Sequence, residues 1–584
     1  MKELKYLNKY LKKYRSKLLI GIFITIVARI FSLFAPRLIG NSLTAVENFI
    51  TNNEGNLESI KELMLINILI IIGTALLSGF FTFLMRQTII NVSRYIEYDL
   101  KNEIFQHYLT LNQRFYKNNR TGDLMSRISE DVGKSRMYVG PAIMYSINTI
   151  TLFVCVIAIM ISIAPKLTLY TLLPLPLLSF VIYKLSRIIN TRSTVVQEML
   201  SKLSSFTQET FSGVSVIKSY SLAPVINERF DALAGDAKRT NMNLVKVQAW
   251  FFPLMILLIG LSNLIVIYVG GNQYINNEIE IGVLAEFIIY INMLTWPVAV
   301  VGWVTSVVQQ AEASQKRINA FLNEALEIKD GKGIAQPIAG AITFNRLSLT
   351  YPETKIDAVK QLSFTVEPKK TLGIIGGVGS GKSSVLNLIN RLYDPTGGSI
   401  TLDEYDLKDF KLEELRSLIG YVPQNAFLFS ESIEQNIKFG KLDATKEELI
   451  EAAKNGCVHE NIIAFKEGYQ TLLGERGITL SGGQIQRVAI ARALIKDSKI
   501  LLFDDCLSAV DTDTEEQILN NLKRICKNKT TIIVSHRISS VKDADTIMVM
   551  EKGALLESGT HNELMALKGY YFELFKKQQH EKEH

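Results

Sequence analysis

A chain of 584 residues is several times the usual domain length, so at least two domains are expected. Hydrophobic residues make up 48% and charged residues 21%, which excludes a uniform soluble globule and fits one strongly apolar region joined to an ordinary one. The net charge of +7 is small for this length; it argues against nucleic acid as a partner and suits a chain touching an anionic membrane face.

The N-terminus, MKELKYLNKYLKKYRSK, is basic and precedes an apolar run, as in a signal peptide. That run is too long, contains Arg29 and lacks a small-x-small cleavage site. Residues 3–15 are instead predicted to form a short basic amphipathic helix on the cytoplasmic membrane surface.

Six apolar segments follow, near 17–40, 62–85, 139–163, 165–186, 251–271 and 281–306. Each approaches the ~20 residues that cross a bilayer, and the third and fourth meet at a tight turn around Ala164 and Pro165. The stretch 41–60 after the first span and the connection between the fifth and sixth carry no Lys or Arg, whereas 86–138 and 187–250 carry many, including Arg94, Lys101, Arg114, Arg192 and Lys218. The positive-inside rule therefore places both long connections and both termini in the cytoplasm of a multi-pass cell-membrane protein. Helical periodicity predicts that these connections continue the membrane helices, turning back near 114–123 and 212–221. Arg29 and Glu286 lie within spans, where a charge needs a cavity or a partner; a role in a translocation path and a structural pairing both explain them. Asn67, Asn148, Asn263 and Asn292 suit an amphipathic substrate or ordinary helix packing equally. The four cysteines, Cys155, Cys457, Cys506 and Cys526, show no metal spacing and read as reduced thiols.

Beyond residue 322 the hydropathy falls, giving a membrane domain at 1–322, a linker at 323–340 and an α/β domain at 341–584. GGVGSGKSS (376–384) lies between the apolar strand TLGII and the helical SSVLNLINRLY, the setting a P-loop requires. Gly376, Gly377, Val378, Gly379, Ser380 and Gly381 supply backbone amides for phosphates. Lys382 reaches the β and γ oxygens, while Ser383, followed by Ser384, offers a hydroxyl to Mg²⁺. A flexible glycine turn would not account for the Lys-Ser pair. KILLFDD (499–505) reads as a buried strand ending in Asp504, placed to hold the magnesium shell, and Asp505, placed to orient or deprotonate water. His536 ends the strand TTIIVSH within reach of a γ-phosphate, and Gln424 ends another, where it can bridge metal and water.

LSGGQ at 480–484, preceded by GERGIT and followed by IQRVAIARAL, resembles the signature of ATP-binding-cassette ATPases. With TGDLMSRISEDV (121–132), GVSVIKSY (213–220), SQKRINAFL (314–322) and GTHNELMALKGYYFEL, nearly the whole chain resembles an ABC exporter half-transporter. The fold this implies is an α-helical polytopic membrane domain of six transmembrane helices with long cytoplasmic extensions, followed by an α/β P-loop ATPase domain. The resemblance implies that Tyr351 stacks on adenine and that Gln424 links the ATP site to the membrane domain. It further implies that Ser481, Gly482, Gly483 and Gln484 close over the γ-phosphate of ATP held by a second half-transporter. Glu475, Arg476 and Gly477 would touch the coupling turns, and SAVD (508–511) would communicate across the dimer.

One departure matters. The family usually has Glu directly after the Asp of this strand, and here the residue is Asp505. Losing a methylene withdraws the carboxylate by about 1.5 Å, and a misplacement of about 1 Å can cost ~100-fold in rate. With LSGGQ and His536 intact, this pattern resembles the slow-site subunit of a heterodimeric exporter; a homodimer using Asp505 as a weaker base is the competing reading. Export of an amphipathic small molecule or lipid is expected, with a nucleotide-gated channel and an importer as alternatives.

Overall fold

The computed structural model describes all residues except Met1, 53–56, 475–479, 508–509 and His584. The chain divides into two bodies: Met1–Leu109 with Thr121–Glu324, and Thr110–Arg120 with Ala325–His584.

The first body is helical. Among the described residues five helical stretches are long and apolar enough to cross a membrane: Arg15–Thr51, Leu57–Thr110, Thr121–Ile163, Ala223–Ile275 and Ile281–Leu322. The expected fourth span, 165–186, is also helical but lies outside that set; it runs through Pro165–Leu172 and Pro174–Ser212. Ala164 leaves the helical conformation and Pro165 opens the next helix, forming the turn expected there. Leu57–Thr110 contains 54 residues. At ~1.5 Å per residue such a helix is more than twice as long as a ~30 Å hydrocarbon core is thick, so much of it must stand outside. Its apolar half leaves Leu65, Leu69, Leu76 and Phe80 exposed, as lipid-facing residues should be, while Ile89, Val92, Ile96, Leu100 and Ile104 farther along are buried in protein.

Polar groups in the spans are used as links between helices. Arg29 donates to the Asn148 carbonyl oxygen, Asn67 to Ser42 Oγ at 2.9 Å, and Asn263 to Asn292 at 3.5 Å. Glu286, only 4% exposed, is instead satisfied within its own helix, accepting from the Tyr290 hydroxyl one turn on at 2.8 Å. Phe34–Asn52 and Ile281–Leu322 approach so closely at Gly40 and Gly282 that a Cβ on Gly282 would lie 2.1 Å from the Gly40 carbonyl oxygen. The Gly282 N–H also donates to Thr44 Oγ1 at 3.2 Å.

The N-terminal segment corrects an expectation. Glu3–Leu7 and Asn8–Lys13 are helical, but Leu4, Leu7 and Tyr10 are buried in protein instead of facing lipid. Tyr6, Lys9 and Tyr10 converge on Glu103, while Lys13 pairs with Asp99 at 2.7 Å. Basic residues that read as a membrane-seeking face thus find carboxylates of their own chain.

Both expected turns between the long helices appear within the predicted stretches. Asn112 caps Gln113–Asn118, accepting from the Phe115 N–H at 3.1 Å, and this segment belongs to the second body. Gly213 ends Pro174–Ser212, the short helix Val214–Ser219 follows, and Ser221 takes a positive φ of 51°.

The second body holds two sheets. Strands β1 (Ile342–Tyr351), β2 (Ile356–Val366), β4 (Gly397–Leu402) and β5 (Tyr405–Asp406) form an antiparallel sheet in the order β2-β1-β4-β5. The other comprises β3 (Thr371–Gly376), β6 (Ile419–Val422), β7 (Ile500–Asp504), β8 (Thr530–Ser535), β9 (Thr546–Glu551) and β10 (Ala554–Gly559). Its order is β10-β9-β3-β8-β7-β6, parallel except at the β10 edge. All five residues of β7 are buried, matching its unbroken apolar run. Loops leaving the adjacent ends of β3, β8, β7 and β6 therefore share one edge, where open α/β sheets bind ligands.

Candidate active site

The P-loop leaves β3 and enters helix α1 (Lys382–Ile389). Gly379 and Gly381 take positive φ of 79° and 98°, which turn the backbone back on itself. A Cβ on Gly381 would also lie 2.0 Å from the Ala358 carbonyl oxygen, so both conformation and space require glycine. Val378 is fully exposed at the tip and Ser380 is buried beneath it. The Lys382 ammonium donates to the carbonyl oxygens of Gly376 and Gly377, each at 2.8 Å, so the loop curls around its own lysine. Burial pushes this ammonium below its ordinary pKa range, against the pull of Asp505 and Asp504.

Ser383 Oγ, in the first turn of α1, donates to Asp504 Oδ1 at 2.8 Å. Asp504 is 3% exposed, and burial pushes its carboxyl upward against the Ser383 hydrogen bond, with Asp505 adding to the rise. A hydroxyl and a buried carboxylate are oxygen donors of the kind Mg²⁺ takes, so these residues fit that ion.

Asp505 follows β7 in the left-handed region, φ 46°, and its N–H extends the ladder by donating to the Val534 carbonyl at 2.8 Å. Side chains from two neighbouring strand ends reach its carboxylate. His536 Nδ1 lies 2.8 Å from Oδ1, and Gln424 Nε2 donates to Oδ2 at 3.4 Å. Strand pairing explains the meeting: Val422 is registered with Phe503, and Asp504 with Val534.

The Tyr351 hydroxyl lies 3.0 Å from Ser384 Oγ, and its ring meets Tyr393 edge to face. The Lys117 ammonium stands 5.5 Å from the Tyr351 ring centre and 5.3 Å from that of Tyr393. Beside it, Arg114 bridges Glu327 and Glu353, and Asn118 donates to Glu353 at 3.3 Å. Tyr393 and Lys117 escaped the sequence reading because nothing in their own neighbourhoods marks them; their position beside Tyr351 is tertiary.

Ser481 caps helix α2 (Gly482–Leu494) in a reciprocal box: Ser481 Oγ accepts from the Gln484 N–H, and the Gln484 side chain accepts from the Ser481 N–H at 2.9 Å. Gly482 and Gly483 form the bare first turn. The Ser481 hydroxyl proton stays available, so this helix end offers an anion its dipole, amides and one O–H. Among the described residues these groups bond within the cap, apart from the P-loop cluster. Glu475, Arg476, Gly477, Ser508 and Ala509 lie outside the described residues. Asp511 caps Thr512–Cys526, accepting from the Thr514 N–H at 2.9 Å.

A P-loop lysine, paired strand-end carboxylates and a strand-end histidine on one parallel-sheet edge, joined to a body of membrane-length helices, define an ATPase attached to a membrane domain. The family model of the ABC transporter transmembrane region matches residues 18–298, and that of the ABC transporter matches 359–508. The chain is 35% identical over 581 residues to the probable multidrug resistance ABC transporter ATP-binding/permease protein YheI of Bacillus subtilis, covering 99% of this chain and 97% of that one. It is 34% identical to the multidrug resistance-like ATP-binding protein MdlA of Escherichia coli, covering 88% of each. A solved bacterial Atm1-family ABC exporter with ATP bound has the same fold, with a TM-score of 0.82 at 24% identity over 97% of this chain and 98% of that one. The chain belongs to the ABC transporter family, as an exporter-type half-transporter with one membrane region and one ATPase. It is a multi-pass membrane protein that couples ATP hydrolysis to export, and as a half-transporter it must dimerise.

Proposed function

We propose that this chain is one subunit of a heterodimeric exporter of amphipathic molecules, and that its own P-loop forms the slower of two composite ATP sites. The observation carrying this reading is Asp505: the short carboxylate stands where the family usually has Glu, yet it is already held by His536 and Gln424. Domain limits of 1–322, 323–340 and 341–584 go with this reading.

ATP would lie with adenine on Tyr351 and its phosphates in the loop from Gly376 to Ser384. Lys382 would exchange its carbonyl partners for phosphate oxygens, which its short bonds to Gly376 and Gly377 keep it poised to do. Ser383, Asp504 and Gln424 would hold Mg²⁺, which when bound neutralises phosphate charge. Ser481, Gly482, Gly483 and Gln484 would close over the γ-phosphate on the partner's P-loop. With Asp505 Oδ1 as acceptor, His536 Nδ1 would donate to it, which leaves Nε2 for the γ-phosphate or the attacking water.

The substrate reading rests on a cavity of about 550 Å³ in the membrane body, lined by Phe153, Tyr183, Arg187, Asn190, Thr305 and Gln309 among others. That volume suits a drug-sized molecule. Its described lining contains one cation and no carboxylate, which favours an amphiphile with a neutral or anionic head.

The test is ATP turnover by the purified chain alone and beside a second half-transporter carrying the Glu. Slow hydrolysis alone, with a gain in Asp505→Glu, is expected; brisk hydrolysis with transport by the chain alone would favour the homodimer. That second reading draws on the same contacts, since an Asp505 bound to both His536 and Gln424 keeps a usable base geometry.

A further inference from the structure

The C-terminal helix α3 (Tyr570–Glu583) is amphipathic at a spacing that puts Tyr571, Leu574, Phe575 and Gln578 on one face. Tyr571 is fully buried, and Leu574 and Phe575 pack against the cluster of Ile375, Ile538, Val541 and Leu564. Gln578, the next position on this stripe, is a polar residue pointing at protein. Its two amide atoms are both used: Nε2 donates to the His536 carbonyl oxygen at 2.6 Å, and Oε1 accepts from the Ile538 N–H at 2.9 Å. The pair spans the loop after β8 like one rung of a sheet, fixing the backbone on both sides of Arg537. The helix start is anchored separately, because Glu557 accepts from the N–H groups of Tyr570 and Tyr571 at 2.6 and 3.1 Å. A Cβ at Gly377 would lie 3.8 Å from the Tyr570 hydroxyl, so a side chain from the first turn of α3 reaches the P-loop while its third turn holds the histidine loop.

We infer that Gln578 is a positioning residue for His536, and that the C-terminal helix sets where the imidazole stands relative to the P-loop. The His536 side chain is half exposed and bonds Asp505, so its own packing leaves the backbone anchor to fix the ring. A backbone carbonyl held by a short hydrogen bond restricts the peptide plane on which the imidazole is carried, and a shift of about 1 Å at a catalytic group can cost ~100-fold. The inference rests on the reading of His536 as a γ-phosphate or water contact.

The experiment is a double-mutant cycle on the full-length chain assembled in its transporter, run in the native and Asp505→Glu backgrounds so that a slow site still gives a readable rate. Gln578→Met keeps length and loses both hydrogen bonds. It is expected to lower kcat about three- to tenfold with KM for ATP unchanged and with the melting temperature of wild type. Gln578→Glu keeps the acceptor for Ile538 but not the donor for His536, and is expected to lose most of the same activity. In the His536→Ala background, Gln578→Met should cost nothing more. Losses that multiply, or a kcat unchanged in Gln578→Met where His536→Ala is slow, would overturn the positioning role. If His536→Ala matches wild type in both backgrounds, the reading of His536 fails and takes the inference with it. A Leu574→Ala control, which loosens the helix without touching the amide, should lower the melting temperature more than Gln578→Met does.

Discussion

The two bodies use glycine for different reasons, and the contrast separates how each is built. Gly381 in the ATPase body has φ 98° and turns the P-loop backbone into the helix that follows. Gly282 in the membrane body has ordinary helical geometry and is small so that Gly40 can approach. Lipid gives helices no hydrophobic reason to associate, so close backbone contact and interhelical hydrogen bonds must supply one. Water around the ATPase body makes burial of β3, β7 and β8 sufficient, which leaves the sheet edge free to carry strained, polar loops. Polar residues divide by place: Arg29 and Asn67 bond across to neighbouring helices of the bundle, whereas Lys382, Asp505 and His536 are gathered at one end of the parallel sheet.

The largest effect that tests this contrast is expected at Lys382. Lys382→Ala removes the only side-chain cation of the P-loop and should reduce ATP turnover at this chain's site by ~100-fold or more, as charge stabilisation of transferring phosphate usually does; export that continues undiminished in vesicles would break the account. Gly381→Ala comes next. It meets both a left-handed backbone and the Ala358 carbonyl, so nucleotide affinity measured by a fluorescent ATP analogue should fall more than tenfold while the membrane helices stay assembled.

Gly282→Val is the counterpart in lipid. It should lower detergent stability and export together, yet leave ATP affinity unchanged, and an unchanged melting temperature would show that the Gly40 contact is dispensable. Arg114→Ala breaks the bridge to Glu327 and Glu353 inside the ATPase body. ATP turnover should fall by less than about threefold, since exposed ion pairs contribute little, while transport per ATP falls more. The smallest effect is expected for Arg187→Gln, a few-fold weaker binding of an anionic amphiphile with a cationic one unaffected or improved; equal losses for both would remove charge from the substrate reading.

Much was legible beforehand because the chain's motifs are local. A P-loop needs glycines, a lysine and a serine within nine residues, between a strand and a helix, and all of that is written in 371–393. The membrane spans are legible because hydrocarbon demands long apolar runs, and the turns between the long helices because helical periodicity gives out near 114–123 and 212–221. Asp505 announced itself as a departure by its place after Asp504. The N-terminal segment was misjudged for a physical reason: a basic amphipathic stretch suits an anionic membrane and a row of carboxylates equally well, and only folding brings Glu103 and Asp99 opposite Lys9 and Lys13.

What the residues determined by themselves is the local chemistry: a glycine-rich P-loop with its cation at Lys382, a short carboxylate at Asp505 and a serine-glycine helix cap at Ser481. Tertiary structure alone decided which distant groups attend that chemistry. Parallel pairing of β6, β7 and β8 carries Gln424 and His536 to opposite oxygens of one carboxylate, and the packing of a C-terminal helix brings Gln578 to the backbone of His536. Hydrogen bonds between residues some 30 to 80 positions apart depend on strand register and helix docking, which no local spacing encodes.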